Sequence, residues 1–525
     1  MTTRYYDVIV LGRSLGVLAA AALLARRDFR VLVLGQDGRP CDYRFDRFRF
    51  RRRAFTWLAG ASPPWLRLLH ELAQSPRFRR RLLPLDPMFS ALLPQRRVEL
   101  PPDVDLFYKE IEREFPEVRQ IIDELYASFA NVNAAADEAF ERDAVWPPGT
   151  FWERFQTGRA ASKLPLVGAQ EGLDVLARFP AGHPFRDLVT LPAMFASHLA
   201  SPSSSLPPFA LARLHGAWAR GIHALERGED ELTEFLVERI EAHSGLCRLN
   251  SRAVSLVVDR GIVTGVIEEG EEHPTGTTNV VTDLSGEAIA ELASGQGITA
   301  TALREWPRLI PTAGRFTMSL VVRSEAMPEP LSEESFLVSA RSNRVDPRRP
   351  DVHLQRFATS RLEEGTPSGP RHTLLVAEIL IPHRGILTLY EAREAVMATM
   401  REHLPFLDSH LIAVDSPYDG LPLWDYGSGA RIEIDRVHCK ETAPGGEPML
   451  PLWMPQPVGY LGLAGEPLRG PILGTYLAGK SVLPALGQEG ELLAAASVAR
   501  LITNKQGNRQ RMRRQMWSRI ETDLP

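Results

Sequence analysis

Asp7-Val-Ile-Val-Leu-Gly-Arg-Ser-Leu-Gly16 is the stretch of sequence that decides the fold. It begins with a short apolar run of the kind found in parallel strands that are covered on both faces. After the glycine turn, residues 17–27 are rich in Ala and Leu and end in two arginines, which is typical of a helix. Val31-Leu-Val-Leu34 is a second apolar run. This order predicts a βαβ unit with a right-handed crossover, as in a dinucleotide-binding domain.

The glycine turn is an incomplete form of the dinucleotide fingerprint. In the complete motif, one glycine makes the turn, a second lets the backbone approach a pyrophosphate, and a third allows close helix packing. Here Gly12 keeps the first place, Ser14 takes the second and Val17 the third, with Gly16 beside it. The turn alone therefore predicts either a weakened nucleotide site or an ordinary α/β turn.

The end of the second strand also lacks a residue that the motif needs. An acidic side chain normally stands there and holds a ribose hydroxyl. Gly35 and Gln36 occupy the place, and Asp37 is the nearest carboxylate. We therefore expect ribose recognition to be weakened.

A second motif lies near the C-terminus, at Gly479-Lys-Ser-Val-Leu-Pro484-Ala-Leu-Gly487-Gln-Glu-Gly490, and an Ala/Leu-rich helical pattern follows it. This segment resembles the closing flavin-binding segment of the phytoene desaturase and amine oxidase group of flavoproteins. In that group a strand ending in Gly precedes a Pro/Gly loop and a helix that points at the isoalloxazine. The resemblance extends over nearly the whole chain at the level of pattern, including the helix and strand pair between Gly228 and Glu269.

The resemblance implies an α/β fold: a Rossmann-like FAD/NAD(P)-binding domain with an inserted α+β substrate domain, a mixed sheet roofed by helices. It implies FAD as the cofactor and assigns no catalytic residue and no metal. The residues it places at the cofactor are Gly12, Arg13, Ser14, Leu15, Gly16, Gly35, Gln36, Arg44, Val254, Gly479, Lys480, Gly487, Gly490, Glu491 and Leu492. The implied FAD-binding domain comprises residues 1–53, 228–283 and 459–502, the substrate domain residues 54–227 and 284–458, and a basic tail residues 503–525.

Two departures from the family pattern fall in the C-terminal motif. Lys480 stands where the family usually has an acidic residue, and Ala485 replaces a usual glycine. A cation near a flavin could stabilise its anionic reduced form, since nearby charge tunes cofactor electronics. The alternative is a site that no longer binds flavin. One sequence leaves both interpretations open.

The composition of the chain restricts its expected binding partners and its expected cellular compartment. The chain has 525 residues, and its formal net charge of −4 gives no general attraction to nucleic acid. Three cysteines, far apart and without metal-ligand spacing, favour a reducing cytoplasm. The apolar run from Val8 to Leu24 is split by Arg13 and is too short to span a bilayer convincingly. We expect a cytoplasmic protein with possible peripheral contact at the inner face of the membrane, and its oligomeric state is left open.

Three further segments carry alternative interpretations. The stretch Tyr43-Arg-Phe-Asp-Arg-Phe-Arg-Phe-Arg-Arg-Arg53 alternates aromatic and basic residues, so its arginines either neutralise a pyrophosphate or form the charged face of an edge strand. The apolar segments 55–58, 64–69 and 191–195 form either a mouth for a lipid substrate or, as we favour, part of the core. Residues 505–519 form either a cationic amphipathic helix or a solvated terminus, the latter being favoured.

Three functional hypotheses follow. The first is an FAD-dependent oxidoreductase that acts on carbon-carbon bonds of a hydrophobic polyene, carotenoid-like or lipid substrate. The second is a cofactor-free protein that binds a lipid or a partner, comparable with the Rab GDP-dissociation inhibitor branch of the same fold. The third is an NAD(P)-binding protein in which Arg13 or Arg39 meets a phosphate. The first is favoured, and it requires that the two terminal motifs meet around a groove free of side chains.

Overall fold

The computed structural model describes residues 4–164, 176–200, 208–298, 304–328, 330–339, 348–358 and 372–522. The helices are α1 (Leu15–Arg26), α2 (Pro63–Glu71), α3 (Ser75–Arg79), α4 (Val104–Glu114), α5 (Arg119–Glu141), α6 (Phe151–Ala160), α7 (Pro184–Ala196), α8 (Pro208–Ala219), α9 (Glu229–Ala242), α10 (Gly286–Leu292), α11 (Leu389–His403) and α12 (Gly487–Thr522).

The strands of the first half are β1 (Val8–Leu11), β2 (Val31–Leu34), β3 (Asp42–Phe45), β4 (Phe48–Arg51), β5 (Leu82–Pro84), β6 (Phe89–Leu93), β7 (Arg96–Leu100), β8 (His223–Leu225), β9 (Leu246–Arg248), β10 (Ala253–Asp259) and β11 (Ile262–Glu268). Those of the second half are β12 (Thr275–Gly276), β13 (Val280–Thr282), β14 (Arg308–Arg323), β15 (Glu334–Leu337), β16 (Val352–Ala358), β17 (His372–Pro382), β18 (Leu411–Asp415), β19 (Leu423–Asp425), β20 (Ile432–Ile434), β21 (Leu450–Gln456) and β22 (Thr475–Leu477).

A five-stranded parallel sheet in the order β22-β13-β1-β2-β9 forms the first layer. Its strands come from three separate parts of the chain, and β1 and β2 are buried along their whole length because apolar residues cover both faces. Helix α1 packs against α9 and α12, so the two terminal motifs are neighbours. The βαβ unit is confirmed, and so is the fold class; the domain boundaries remain predictions.

A second, mixed sheet contains the strands expected of the inserted domain. Its order is β20-β19-β18-β14-β17-β16-β15-β6-β7, and β21 also pairs with β14. One apolar cluster joins its central strands to α11, and another joins β6 and β7 to α4, α5, α7 and α8. The predicted strand pair after α9 is present as the antiparallel β10 and β11.

Several segments test the structural interpretations made from the sequence. Residues 43–53 are not one strand: β3 and β4 form a hairpin whose aromatic side chains are buried. In the apolar segments, Trp57, Trp65 and Leu191 are buried in the core, whereas Leu58 and Phe195 line a cavity, so each of the two interpretations holds for part of these segments. The backbone of α12 continues to Thr522, so the basic tail is helical there. The side chains of residue 506 and of residues 508–525 lie outside the description, so the solvated terminus stays a prediction. None of the helices in the described residues is long and apolar enough to cross a bilayer.

Candidate functional site

The turn between β1 and α1 has the backbone of a phosphate-binding turn. Gly12 has a φ of +125°, and a Cβ there would lie 2.0 Å from the Oδ1 atom of Asp283. A Cβ on Gly16 would lie 1.8 Å from the carbonyl oxygen of Ala478. Gly16 therefore does the close packing expected of the third glycine, displaced by one position from Val17.

Two carboxylates of the chain bind the amides of this turn. The amide of Ser14 donates to Oδ2 of Asp283 at 3.0 Å, and the amide of Gly16 donates to Oε2 of Glu491 at 3.2 Å. Amides at the start of a helix favour anions because the helix dipole and the free N–H groups act together. The contact between Gly16 and Glu491 confirms that the two terminal motifs meet.

Burial changes the acidity of both carboxylates. It raises the pKa of Glu491 to about 7, because the cost of desolvation exceeds the stabilisation from Lys480 and the Gly16 amide. Burial also raises the pKa of Asp283, and the Ser14 amide only partly offsets this. Both groups therefore hold protons more readily than exposed carboxylic acids do.

The N–H groups of the turn are suited to bind an anionic diphosphate. In this structure the carboxylates of Asp283 and Glu491 occupy them instead. Because both amides already bind carboxylate oxygens, they are oriented for a phosphate as well. A nucleotide would reach them only after Asp283 and Glu491 have left. The groove is thus not free of side chains in this conformation, contrary to the requirement set by the sequence.

The end of β2, where a ribose would be held, is used for internal contacts. The side-chain oxygen of Gln36 accepts the amide of Ala253 at 2.6 Å, and a Cβ on Gly35 would lie 2.0 Å from the carbonyl oxygen of Leu249. Asp37 reaches Arg252 at 3.5 Å. Val254, on β10, is 44% exposed. The structure brings Gly35 and Gln36 to the expected strand end and gives them a structural role.

The arginines near the site already have carboxylate partners. Arg13 lies 3.7 Å from Asp230, and Arg39 pairs with Glu447 at 2.6 Å. These pairs reduce the support for a phosphorylated ribose at either arginine. Within the basic segment the carboxylate partners are Asp425 for Arg47, Asp42 for Arg49 and Arg51, Glu447 for Arg52 and Glu229 for Arg53. Arg44 is exposed, and its amide donates to Glu441. In this segment the pyrophosphate interpretation thus keeps only Arg44, whose guanidinium has no ion-pair partner among the described residues.

The C-terminal motif lies where the resemblance implied. Gly479 is directly against Asp283, since a Cβ would lie 2.7 Å from that residue's Cβ. Gly487 has a φ of +53° and lies against the carbonyl of Ala196, while Gly490 lies against the carbonyl of Leu483. Leu492 is in the core. These glycines are needed for packing at the start of α12, whether or not a cofactor binds.

A cavity of about 100 Å³ lies between the first layer and the mixed sheet. Pockets for small organic ligands usually measure roughly 300–1,000 Å³, so this one must widen to hold such a ligand. Its apolar lining is Leu15, Leu18, Leu58, Phe195, Trp218, Leu232, Leu236 and Leu450, and its charged or titratable lining is Arg53, His198, Glu229, Arg315, His353, Glu378, Lys480 and Glu491.

Burial and neighbouring charges set the protonation states in this cavity. Burial lowers the pKa of His198 well below its usual value, and Lys480 adds to the effect, so this imidazole is neutral. Its Nε2 atom lies 3.8 Å from Oε1 of Glu491. Burial alone would raise the pKa of Glu229, but Arg53 and Lys480 outweigh it and lower that pKa.

Sequence reasoning found one of the two turn carboxylates and missed the other. Asp283 follows β13 directly, and the carboxyl ends of parallel strands meet at one edge of a sheet. From its position directly after a parallel strand, Asp283 could have been predicted to lie near the turn. His198 comes from the connection after α7, and no local pattern marks it. His353 lines the cavity but is bound to Glu334 at 2.8 Å, and no metal-binding cluster of His, Cys, Asp or Glu occurs within the described ranges.

No protein-family model and no curated protein sequence matches the chain. Solved structures do resemble it. An oxidoreductase from Methanosarcina mazei is 15% identical, with a TM-score of 0.56 over 94% of this chain and 99% of that chain. A double mutant of putrescine oxidase, made to redesign cofactor binding, is 13% identical, with a TM-score of 0.54 over 96% and 100%. The PF1083 protein from Pyrococcus furiosus is 14% identical, with a TM-score of 0.53 over 94% and 97%.

At such identities the likeness establishes the fold alone. The chain has the fold of these oxidoreductase structures, as the resemblance of its terminal motifs predicted.

Proposed function

We propose that the protein is an FAD-dependent oxidoreductase that acts on a hydrophobic small molecule in the cavity. The observation that carries this proposal is the position of Glu491. One oxygen of this side chain binds the Gly16 amide of the turn, and the residue also lines the cavity. The anion-binding turn and the cavity therefore share Glu491, which supports a dinucleotide cofactor that extends from one to the other.

Two parts of the chain would hold the cofactor. The amides of Ser14 and Gly16 would bind the diphosphate, and the segment Gly487–Leu492 would lie at the flavin end. When bound, FAD supplies the group that exchanges hydrogen with the substrate. The chain's own contribution is the apolar lining, which orients the substrate and excludes water.

The charge balance of the cavity favours a neutral substrate over a protonated amine. Glu229 is paired with Arg53, and Glu378 is paired with Arg315 at 2.7 Å. Lys480, in contrast, has no carboxylate within ion-pair distance among the described residues, although it influences the pKa of Glu491 and Glu229. Below the Glu491 pKa of about 7, where that side chain is protonated, a cationic amine would meet this uncompensated positive charge. We therefore propose chemistry at a carbon-carbon bond of an apolar molecule.

Substrate reduction of the flavin tests this proposal. Protein reconstituted with FAD would be mixed without oxygen with polyenes, fatty acyl compounds and aliphatic amines, and the visible flavin band would be followed. We expect bleaching by an apolar compound and none by the amines. The variant Lys480→Glu should shift the preference towards amines. Bleaching by amines alone in the unmodified protein would refute the substrate assignment.

A second candidate function is favoured by the carboxylates on the turn. If Asp283 and Glu491 never leave the amides, the protein binds its hydrophobic ligand without a cofactor, as in the Rab GDP-dissociation inhibitor interpretation. This candidate predicts that the purified protein takes up no flavin at any pH and still binds an apolar fluorescent probe. Uptake of FAD would exclude it.

A further inference from the structure

Helix α6 exposes aromatic side chains and buries polar ones, which is the opposite of an ordinary surface helix. Its aromatic residues point to solvent: Phe151 is 85% exposed, Trp152 62% and Phe155 57%. Its polar residues Glu153 and Thr157 are buried. A helix on a globular protein normally buries its apolar stripe and exposes its polar face. This arrangement calls for a partner that covers the aromatic side chains.

Buried polar contacts hold α6 in this orientation. Thr150 and Glu153 form a capping box at its start. The carboxylate of Glu153 also pairs with Arg469 at 3.0 Å, and the Thr157 hydroxyl donates to the carbonyl of Val145 at 2.9 Å. Rotating the helix to bury the aromatic residues would break these contacts and leave buried polar groups without partners. The aromatic face is therefore presented rigidly.

The exposed aromatic residues form a contiguous surface. The rings of Trp152 and Phe155 are stacked with centroids 5.6 Å apart, and Phe151 precedes them in the same turn. Scattered exposed apolar residues are ordinary, whereas a contiguous patch of this kind marks an interaction surface. Phe and Trp are large enough for a few of them to dominate such a contact.

The charges on the same face are positive. Arg154 and Arg159 are exposed, and neither guanidinium has an ion-pair partner within the described part of the chain. The only acidic residue of α6, Glu153, points inward. Nearby Lys163 is neutralised by Glu138. The surface thus combines three aromatic side chains with two uncompensated arginines.

We propose that α6 docks the protein on a membrane surface that contains anionic lipids. Phe151, Trp152 and Phe155 enter the interfacial region, while Arg154 and Arg159 lie at the lipid phosphates. With ten residues the helix is about 15 Å long, so it lies in the interface and does not span. A symmetric pair of chains would bring the same arginines face to face, which disfavours self-association through this surface. The proposal does not depend on the cofactor.

Vesicle cosedimentation tests this surface. The full chain would be mixed with vesicles of phosphatidylcholine alone or with phosphatidylglycerol added. We expect binding to the anionic vesicles and at least about a tenfold loss of affinity in Phe151→Ser/Trp152→Ser/Phe155→Ser. Arg154→Gln/Arg159→Gln should lose most of the preference for anionic lipid. The matched control is Tyr390→Ser/Phe406→Ser, which removes equally exposed aromatic side chains elsewhere and should leave binding unchanged.

Two further measurements distinguish a loss of vesicle binding from misfolding of the variants and from association with another copy of the chain. Thermal unfolding should be the same for all variants, because the substituted side chains are exposed. The variant Trp152→Phe keeps an aromatic ring and should bind vesicles, while the blue shift of tryptophan emission on binding should shrink. Absence of binding by the unmodified chain, equal binding by the triple aromatic variant, or concentration-dependent dimerisation abolished by that variant would each overturn the proposal.

Discussion

The turn at the start of α1 and the cavity at the start of α12 share Glu491, and they differ in how their charges are compensated. At the turn, the amides that a phosphate would use are bound by Asp283 and Glu491. In the cavity, Lys480 has no ion-pair partner among the described residues. The departures from the fingerprint at the turn thus coincide with internal contacts, while the cavity keeps the charge of Lys480.

The largest effect on stability is expected from adding a side chain where the turn packs directly against the C-terminal motif. Gly16→Ala would place a Cβ against the Ala478 carbonyl oxygen, and backbone cannot move aside as a side chain can. We expect the free energy of unfolding to fall by about 3 kcal/mol or more. Chemical denaturation measures this. The control Gly158→Ala has open space around it and should be neutral or stabilise slightly, because Ala favours helix. Equal effects at the two glycines would contradict the close packing.

The next effect concerns the protonation of Glu491. Its folded pKa of about 7 lies above the ordinary value of 4.5, so the folded state binds the proton more tightly than the unfolded state. Its contribution to stability is therefore fully present below about pH 4.5 and is lost as the pH rises to about 7. The loss is about 3 kcal/mol at about 1.4 kcal/mol per pH unit. Unfolding across this range should show a steeper loss of stability with rising pH in the unmodified chain than in Glu491→Gln. Asp283 and His198 contribute to the pH dependence of both proteins. An identical slope in the variant would refute the assignment.

A smaller effect is expected at the other carboxylate. Asp283→Ala removes the acceptor of the Ser14 amide and leaves that donor without a partner in a largely buried turn. The expected cost is about 2 kcal/mol of unfolding free energy. If the turn binds phosphates, added ADP should restore part of this stability in a thermal shift measurement. No loss of stability would show that Asp283 does not hold the turn.

The smallest effect is expected at Arg13, which the NAD(P) hypothesis places at a phosphate. Its pair with Asp230 has a separation of 3.7 Å near the surface. Removing such a pair costs less than about 1 kcal/mol, so Arg13→Ala should barely change stability. Titration with NADP should give the same weak response in both proteins. A strong response that disappears in the variant would revive the NAD(P) hypothesis.

Local patterns were enough to predict the βαβ unit, the strand pair after α9 and the meeting of the termini, because apolar period and glycine placement report directly on buried strands and tight turns. They could not show that Gln36 binds the Ala253 amide or that Asp283 fills the turn. Both contacts join residues more than 200 positions apart, and only the assembled sheet brings them together. The outward face of α6 was equally hidden, since its composition does not say which side is buried.

The dissociation constant of FAD, measured at about pH 6 and about pH 8, tests the central claim most directly. The claim is that Asp283 and Glu491 compete with a diphosphate for the amides of Ser14 and Gly16. The unmodified chain should bind FAD at least about tenfold more tightly at the lower pH, because Glu491, with a pKa of about 7, is largely protonated there and repels the diphosphate less. The variant Asp283→Asn/Glu491→Gln should bind tightly at both pH values. No uptake of FAD by either protein at either pH would contradict the account.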